Sequence, residues 1–138
     1  VVIRGGRVKP ITKQMIKIYN LDKFCFMGFK LDKTATYHHI EKREHGGKET
    51  IENGAVLNPY AHEYLHIIEY KDLDTYIAIN KILKIINEQR DKPTIEQLQI
   101  ISKMLSMFEE EHKHDKTSKG KRLIKYQYLE RMWVYGKR

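Results

Sequence analysis

The 138-residue chain has a single cysteine, Cys25, and this scarcity excludes two kinds of site. No disulfide can form within the chain, and no zinc knuckle with four cysteine ligands can be built from it. No apolar run approaches the roughly 18 residues of a membrane span, and the first ten residues lack the apolar stretch of a secretory signal. We therefore expect a cytoplasmic protein without membrane contact. Its length suits one domain with a real core, with or without a helical appendage.

Acidic residues are outnumbered, with 18 Asp and Glu against 26 Lys and Arg, so the net charge is +8. Residues 1–30 carry seven basic residues and one acidic residue, residues 113–138 carry nine and two, and residues 31–112 are net acidic. Basic ends suit the phosphate backbone of a nucleic acid, because counterion release drives such binding. A solubilising surface has the same composition, so the charge permits a nucleic-acid partner without requiring one.

The N-terminal half combines short apolar segments with polar loops. Residues 11–20 fit a short helix or a strand, and FCFMGF at 24–29 fits a strand or a turn that packs under a site. The β-branched and aromatic residues of ATYHHI at 35–40 predict a strand. The apolar run GAVLN at 54–58 predicts a second extended segment, and the Gly-Gly pair at 46–47 marks a loop or tight turn between the two.

The sequence after residue 58 predicts mainly helices. Asn58 as a cap and Pro59 in the first turn predict a helix that reaches about Tyr70. Two further helices have apolar residues at helical spacing. One begins with Asp72 or Asp74 as its cap and ends near residue 90, and the other begins at Thr94 with the pattern of a capping box. We expect these two helices to form an antiparallel hairpin.

The strongest chemical signal is a cluster of histidines, because five of the seven lie between residues 37 and 66 and four of these five fall in two pairs, HH and HxxxH. His62 and His66 are four positions apart on the predicted helix, so they share one face and can converge on a cation. His38 and His39 are neighbours on the predicted strand and point to opposite faces. One of this pair can complete a three-histidine metal site while the other serves as a general base, as metal-assisted hydrolysis requires. Each pattern alone also fits solvated or core histidines.

The order of these parts resembles the HNH endonuclease family, whose fold is the ββα-metal or His-Me finger. The parts are HH, a charged loop with Gly-Gly, Asn53, a short apolar run and HxxxH, within about residues 24–69. The intervals are fourteen positions from His39 to Asn53, nine from there to His62 and four to His66, and they are similar to those of colicin-type nuclease domains.

The resemblance, which ends near residue 69, and the helical pattern that follows it together predict an α+β fold with two parts. A ββα-metal finger, which is a short antiparallel hairpin plus a helix, would be followed by a mostly helical C-terminal half. Residues 1–71 would form the nuclease core with a basic N-terminal segment. Residues 72–138 would form the helical hairpin and a basic C-terminal tail, with a linker at 113–122 and a final helix at 123–138.

The resemblance also implies a role for each part of the motif. One divalent metal would be bound by three histidines: His38, His62 and His66. His39 would take a proton from the attacking water, and Asn53 would hydrogen-bond loop backbone and hold His39 in orientation without touching the metal. Arg43 or Lys48 would contact the phosphate beside the cut. From the residues alone, Asn53 also fits a plain turn residue, and Arg43 and Lys48 also fit a loop surface.

Three departures from the commonest family pattern affect these expectations. Cys25 stands alone where many relatives carry two CxxC knuckles, so apolar packing would have to replace that structural zinc. His38 stands where many relatives have aspartate. An all-histidine site favours Zn, Ni, Co or Mn over Mg, and the identity of the metal stays open. Gly54 follows Asn53 where leucine is usual, and this change is expected to loosen the second strand.

Together these features predict a metal-dependent HNH endonuclease that hydrolyses phosphodiester bonds, with DNA as the favoured substrate and RNA not excluded. Paired cuts would imply a dimer. Two alternatives stay open. One is a non-catalytic nucleic-acid-binding protein whose histidines hold a structural metal, and the other is a metal-independent interaction module that works through its helical hairpin.

Overall fold

The computed structural model describes residues 8–31 and 33–115. Within these residues the chain forms a two-stranded antiparallel sheet and four α-helices, so the expected α+β class is confirmed. The elements are α1 (Pro10–Ile18), β1 (Thr36–His39), β2 (Gly54–Leu57), α2 (Pro59–Lys71), α3 (Leu73–Gln89) and α4 (Ile95–Glu111). None of the helices in this part of the chain is long and apolar enough to cross a membrane. The predicted final helix and most of the predicted basic linker lie outside the described residues.

The two strands pair over four residues, from Thr36 opposite Leu57 to His39 opposite Gly54. All four residues of β2 are buried. A Cβ at Gly54 would lie 2.3 Å from a ring atom of Tyr37. The expectation that Gly54 loosens the second strand is therefore wrong, because its missing side chain makes room for a buried aromatic ring.

Residues 11–20 and 24–29, which the sequence left undecided, form helix α1 and a turn. The turn has one isolated bridge, between Phe24 and Lys30. Phe26 donates its backbone N–H to the carbonyl of Val56 in β2 at 3.0 Å, and its ring is fully buried. Apolar packing thus holds this turn, which contains the single cysteine, against the sheet.

The three C-terminal helices of the described chain begin at caps that the sequence predicts. Asn58 accepts hydrogen bonds from two N–H groups in the first turn of α2. Asp72 accepts from the N–H of Thr75 at 3.1 Å and caps α3. Thr94 and Gln97 form a complete capping box at the start of α4. Because each cap satisfies N–H groups that no helical carbonyl can reach, these starts are locally encoded.

Helix α3 is central to the packing, since it contacts β2, α2 and α4. Its fully buried apolar side chains are Ile79, Leu83 and Ile86. Burial of one such side chain contributes about 1.5–3 kcal/mol. α3 and α4 pack together as the predicted helical hairpin, and Gln89 and Gln97 exchange two hydrogen bonds where the helices meet. The sheet and α2 are therefore held against a stable helical support.

Candidate metal centre

β1 and α2 bring three histidines together. His38 lies on β1, and His62 and His66 lie one turn apart on α2. One nitrogen of each ring lies within 4.8 Å of a nitrogen of each of the other two. His38 is 2% exposed, whereas the side chain of His66 is 50% exposed. Imidazoles gathered in this way can hold one divalent cation, and the exposed side leaves room for other ligands.

Burial keeps the two inner imidazoles neutral. Desolvation lowers the pKa of His38 to about 4, although a hydrogen bond with Asn80 opposes that shift. Desolvation also lowers the pKa of His62 to about 3, and the neighbouring His38 and His66 lower it further. Neutral imidazole is the form that binds a metal. At neutral pH these two rings therefore have no proton to lose before they can act as ligands.

A hydroxyl group sets which nitrogen of His62 is free. Oγ1 of Thr36 lies 2.9 Å from the carbonyl oxygen of Leu57 and 2.9 Å from Nδ1 of His62. The hydroxyl has one proton to donate, and the carbonyl can only accept. Nδ1 of His62 must therefore donate to Oγ1, which leaves Nε2 of His62 as the nitrogen able to bind a metal.

A carboxylate has the same effect on His66. Nδ1 of His66 lies 3.2 Å from Oε1 of Glu69, and Oε2 of Glu69 lies 2.6 Å from Nζ of Lys42. Burial raises the pKa of Glu69, but hydrogen bonds from Lys42 and His66 outweigh it, so the pKa is lowered overall and the group stays ionised. An ionised carboxylate only accepts, so Nδ1 of His66 donates to it, and Nε2 is the nitrogen that remains for a metal.

The buried His38 is hydrogen-bonded from α3. Its Nε2 lies 2.9 Å from Oδ1 of Asn80, and Nδ2 of Asn80 donates to the carbonyl of Ile40 at 2.8 Å. Each of the three histidines thus has one nitrogen engaged by the protein. This arrangement is typical of metal ligands, whose second nitrogen is held by a carboxylate, a carbonyl or a similar group.

His39 lies on the other face of β1 from His38, and its ring contacts that of Tyr37 at a centroid distance of 4.9 Å. Its Nε2 is buried and has no hydrogen-bond partner among the described residues. Burial lowers the pKa of His39, and the charge of Arg43 lowers it further. His39 nevertheless lines the same cleft of about 300 Å³ as the three histidines of the cluster. All four predicted histidines therefore meet at one cleft.

Asn53 joins the two ends of the loop between β1 and β2. Its amide group donates to the carbonyls of Glu41 and Lys48, both at 3.0 Å, and its oxygen accepts from the N–H of Glu41 at 2.7 Å. A Cβ at Gly47 would lie 1.8 Å from the carbonyl oxygen of Glu41, so a side chain does not fit against this junction. Within the described chain no hydrogen bond joins Asn53 to His39. Any effect of Asn53 on that ring must pass through the loop backbone.

The two predicted phosphate contacts lie in different places. Arg43 lines the cleft with the histidines. Lys48 does not: it lines an adjoining groove of about 840 Å³, together with Asn53 and Asn80. Lys42 lines both, although its ammonium group is paired with a carboxylate of α2. The structure therefore brings Arg43, and not Lys48, beside the histidine cluster.

Sequence reasoning missed three residues that hydrogen-bond the clustered histidines: Thr36, Glu69 and Asn80. Glu69 had a local signal, because it follows His66 by three positions on one helix face. Thr36 had a weaker one, since a residue two positions before His38 shares its side of the strand. Asn80 had none. It is 42 positions from His38 along the chain, and only the packing of α3 brings the two together.

A second group of possible ligands lies between the ends of α2 and α4. Carboxylate and imidazole atoms of Asp72, Glu111 and His112 lie within 4.8 Å of one another. Asp72 is already engaged as the cap of α3, and Nδ1 of His112 lies 2.7 Å from a carboxylate oxygen of Asp115. These side chains have structural partners, so we assign no metal to them.

Comparison of the chain with protein-family models, with curated proteins and with solved structures finds no match. The function is therefore argued from the chemistry of the cleft and from the order of the motif.

Proposed function

We propose that this protein is a metal-dependent endonuclease of the HNH type. In this proposal β1, β2 and α2 form the ββα-metal finger, and the substrate is the phosphodiester backbone of nucleic acid, with DNA favoured over RNA. The observation that carries the proposal is the meeting of four histidines at one cleft. Three of them have one nitrogen engaged by the protein, and the fourth, His39, has a nitrogen without a partner.

His38, His62 and His66 would hold one divalent cation, which when bound acts as a Lewis acid for the charge that develops on the phosphate. Three imidazoles favour Zn, Ni, Co or Mn over Mg. Among residues 8–31 and 33–115, no fourth His, Cys, Asp or Glu joins this cluster. Only three protein ligands leave coordination positions open for substrate, as catalytic sites require and closed structural sites do not. This openness weighs against the alternative of a purely structural metal.

His39 would act as the general base. Because its pKa is lowered by burial and by Arg43, the ring is neutral and able to accept a proton at neutral pH. The ring lines the same cleft as the three clustered histidines, which is where the attacking water would have to bind. Asn53 would act only through the loop that follows His39, and Arg43 would contact the phosphate from the rim of the cleft.

The proposal is tested by cleavage of supercoiled plasmid with the wild-type protein and with His39→Ala. Each is assayed with Mg, Mn, Zn, Ni or Co, and with EDTA. We expect metal-dependent nicking that falls about 100- to 10,000-fold in His39→Ala, while metal binding is retained. His45→Ala is the matched control. His45 is an exposed histidine in the loop between β1 and β2, and it lies outside the histidine cluster.

If wild-type protein binds metal but cuts neither plasmid nor RNA with any of the five metals, the endonuclease proposal fails. The structural-metal alternative would then account for the cluster. If the protein binds no metal and a chelator leaves its stability unchanged, the metal-independent interaction module is the better explanation.

A further inference from the structure

Helix α3 lies beyond the segment that resembles the HNH motif, which ends near residue 69, yet it contacts the most buried histidine of the cluster. The ring of Tyr76 on this helix contacts His38 edge-on at a centroid distance of 6.5 Å, and Asn80 hydrogen-bonds it. The amide bridges two points of one strand end: the ring of His38 at 2.9 Å and the carbonyl of Ile40 at 2.8 Å. It therefore restrains both the imidazole and the backbone two residues further on.

The hydrogen bonds determine the orientation of the Asn80 amide. The carbonyl of Ile40 can only accept, so the NH₂ group of Asn80 must face it. The amide oxygen then faces His38, and an oxygen acceptor requires a proton on Nε2 of that ring. The proton on Nε2 leaves Nδ1 of His38 as the bare nitrogen. Because His38 is 2% exposed, no solvent contact competes appreciably with this arrangement.

A second asparagine on α3 provides a comparison. Asn87 lies seven positions after Asn80, close to the same face of the helix. Its amide donates to the carbonyls of Ile51 and Gly54 at 2.6 and 2.7 Å, so it anchors the other end of the loop between the strands. Asn87 thus supports the same loop without touching an imidazole. Variants of Asn80 and Asn87 can therefore distinguish general support of the loop from orientation of the His38 ring.

We propose that Asn80 is a positioning residue of the metal centre, which holds His38 in the tautomer and orientation that present Nδ1 to the metal. This inference rests on the proposed metal centre, and it adds a residue from a helix outside the recognised motif. Groups that hold the second nitrogen of a ligand histidine typically change metal affinity by 10- to 100-fold when they are removed.

The test measures the zinc affinity of the full chain by competition with a chromophoric chelator, in the absence of nucleic acid. We expect Asn80→Ala to bind Zn²⁺ about 10- to 100-fold more weakly than wild type. Asn80→Asp keeps an acceptor for Nε2 of His38 but loses the donor to the carbonyl of Ile40, so it should bind Zn²⁺ more tightly than Asn80→Ala. Asn87→Ala should stay within about threefold of wild type, because its side chain hydrogen-bonds two backbone carbonyls and Arg90 but no imidazole.

A second measurement needs no variant. In the metal-free wild-type protein, ¹⁵N-detected NMR of the imidazoles reports which nitrogen of His38 carries the proton. We expect the proton on Nε2. A proton on Nδ1 would overturn the inference, and this readout decides the matter if Asn80→Ala fails to fold.

The outcomes separate this inference from the proposed function. Suppose that His38→Ala loses zinc affinity while Asn80→Ala keeps it, or that Asn87→Ala loses as much as Asn80→Ala. The metal centre would then stand, and the specific role of Asn80 would be wrong. If wild-type protein binds no zinc, or if His38→Ala binds it equally well, the metal centre itself is wrong and the role of Asn80 falls with it.

Discussion

The segment formed by β1, β2 and α2 and the pair formed by α3 and α4 are built in opposite ways. The first has strands of four residues joined by a polar loop, and it carries every residue that the motif predicts for chemistry. The second has two helices of 17 residues with buried apolar stripes and well-formed caps, and the motif assigns it nothing. The β-hairpin formed by β1 and β2 would be marginally stable at best if it were isolated in water.

Two asparagines of α3 connect these regions. Asn80 bonds a histidine and the end of β1, and Asn87 bonds the two backbone carbonyls that flank Asn53. The region that carries the candidate site is thus held in shape by the region that the motif leaves out. Variants in each region separate the two contributions.

The largest effect should come from the core of the supporting helix. Leu83 of α3 is fully buried, whereas Ile85 on the same helix is 54% exposed. We expect Leu83→Ala to lower the free energy of unfolding by about 2–5 kcal/mol, because it removes buried apolar surface and leaves a cavity. Ile85→Ala should change it by no more than about 0.5 kcal/mol. Urea denaturation of both variants measures the difference, and equal losses would contradict the packing described for α3.

Acid should destabilise the metal-free protein through its buried histidines. The pKa values of His38 and His62 are lowered from 6.5 to about 4 and about 3, so below about pH 6.5 the unfolded chain binds protons that the folded chain does not. The free energy of unfolding should therefore fall as the pH drops from about 6.5 to about 5. The slope should reach at most about 1.4 kcal/mol per pH unit for each histidine.

Urea denaturation at a series of pH values in EDTA measures this slope. The double variant His38→Gln, His62→Gln should show a flatter dependence over the same range, whatever its absolute stability. A wild-type stability that stays constant or rises on acidification would contradict the burial of these rings in neutral form.

The caps of α2, α3 and α4 and the apolar stripes of α3 and α4 could be predicted from sequence, because they depend on residues within a few positions of one another. The same holds for the two strands and for the pairing of His62 with His66. The turn at 24–29 was ambiguous, since a short apolar run fits a buried strand equally well. The room that Gly54 gives to Tyr37 could not be predicted, because it depends on a contact across the sheet.

The supporting residues of the candidate site were harder to find than its ligands. The ligands have characteristic residue types at fixed spacing, whereas Asn80 and Asn87 are single polar residues within an amphipathic helix. Their partners follow from how α3 packs on the sheet, and local patterns do not encode that packing.

Loss of the Asn87 amide should have a moderate effect on stability. Asn87→Ala leaves the carbonyls of Ile51 and Gly54 without these donors, and an unsatisfied buried polar group costs about 1–3 kcal/mol. We expect a loss of that size in thermal or urea denaturation. Gln89→Ala is the matched control, because its hydrogen bonds are exposed. A loss no greater than that of the control would show that Asn87 does not anchor the loop.

The smallest effect should come from a buried hydroxyl of α3. Tyr76 is 5% exposed, and its hydroxyl has no hydrogen-bond partner among the described residues. Tyr76→Phe should leave the free energy of unfolding unchanged or raise it by up to about 1 kcal/mol, since no hydrogen bond is lost. Tyr37→Phe, which removes a hydroxyl that donates to the carbonyl of Thr50 at 2.6 Å, should lower it by about 1 kcal/mol. The reverse order in denaturation experiments would contradict these assignments.

The proposed metal centre of His38, His62 and His66 can be tested by calorimetric titration of Zn²⁺ into the EDTA-treated, dialysed protein at neutral pH. We expect one high-affinity equivalent, weakened by at least about tenfold in His38→Ala and unchanged in His45→Ala. Absence of zinc binding, or equal affinity in wild type and His38→Ala, would contradict the account.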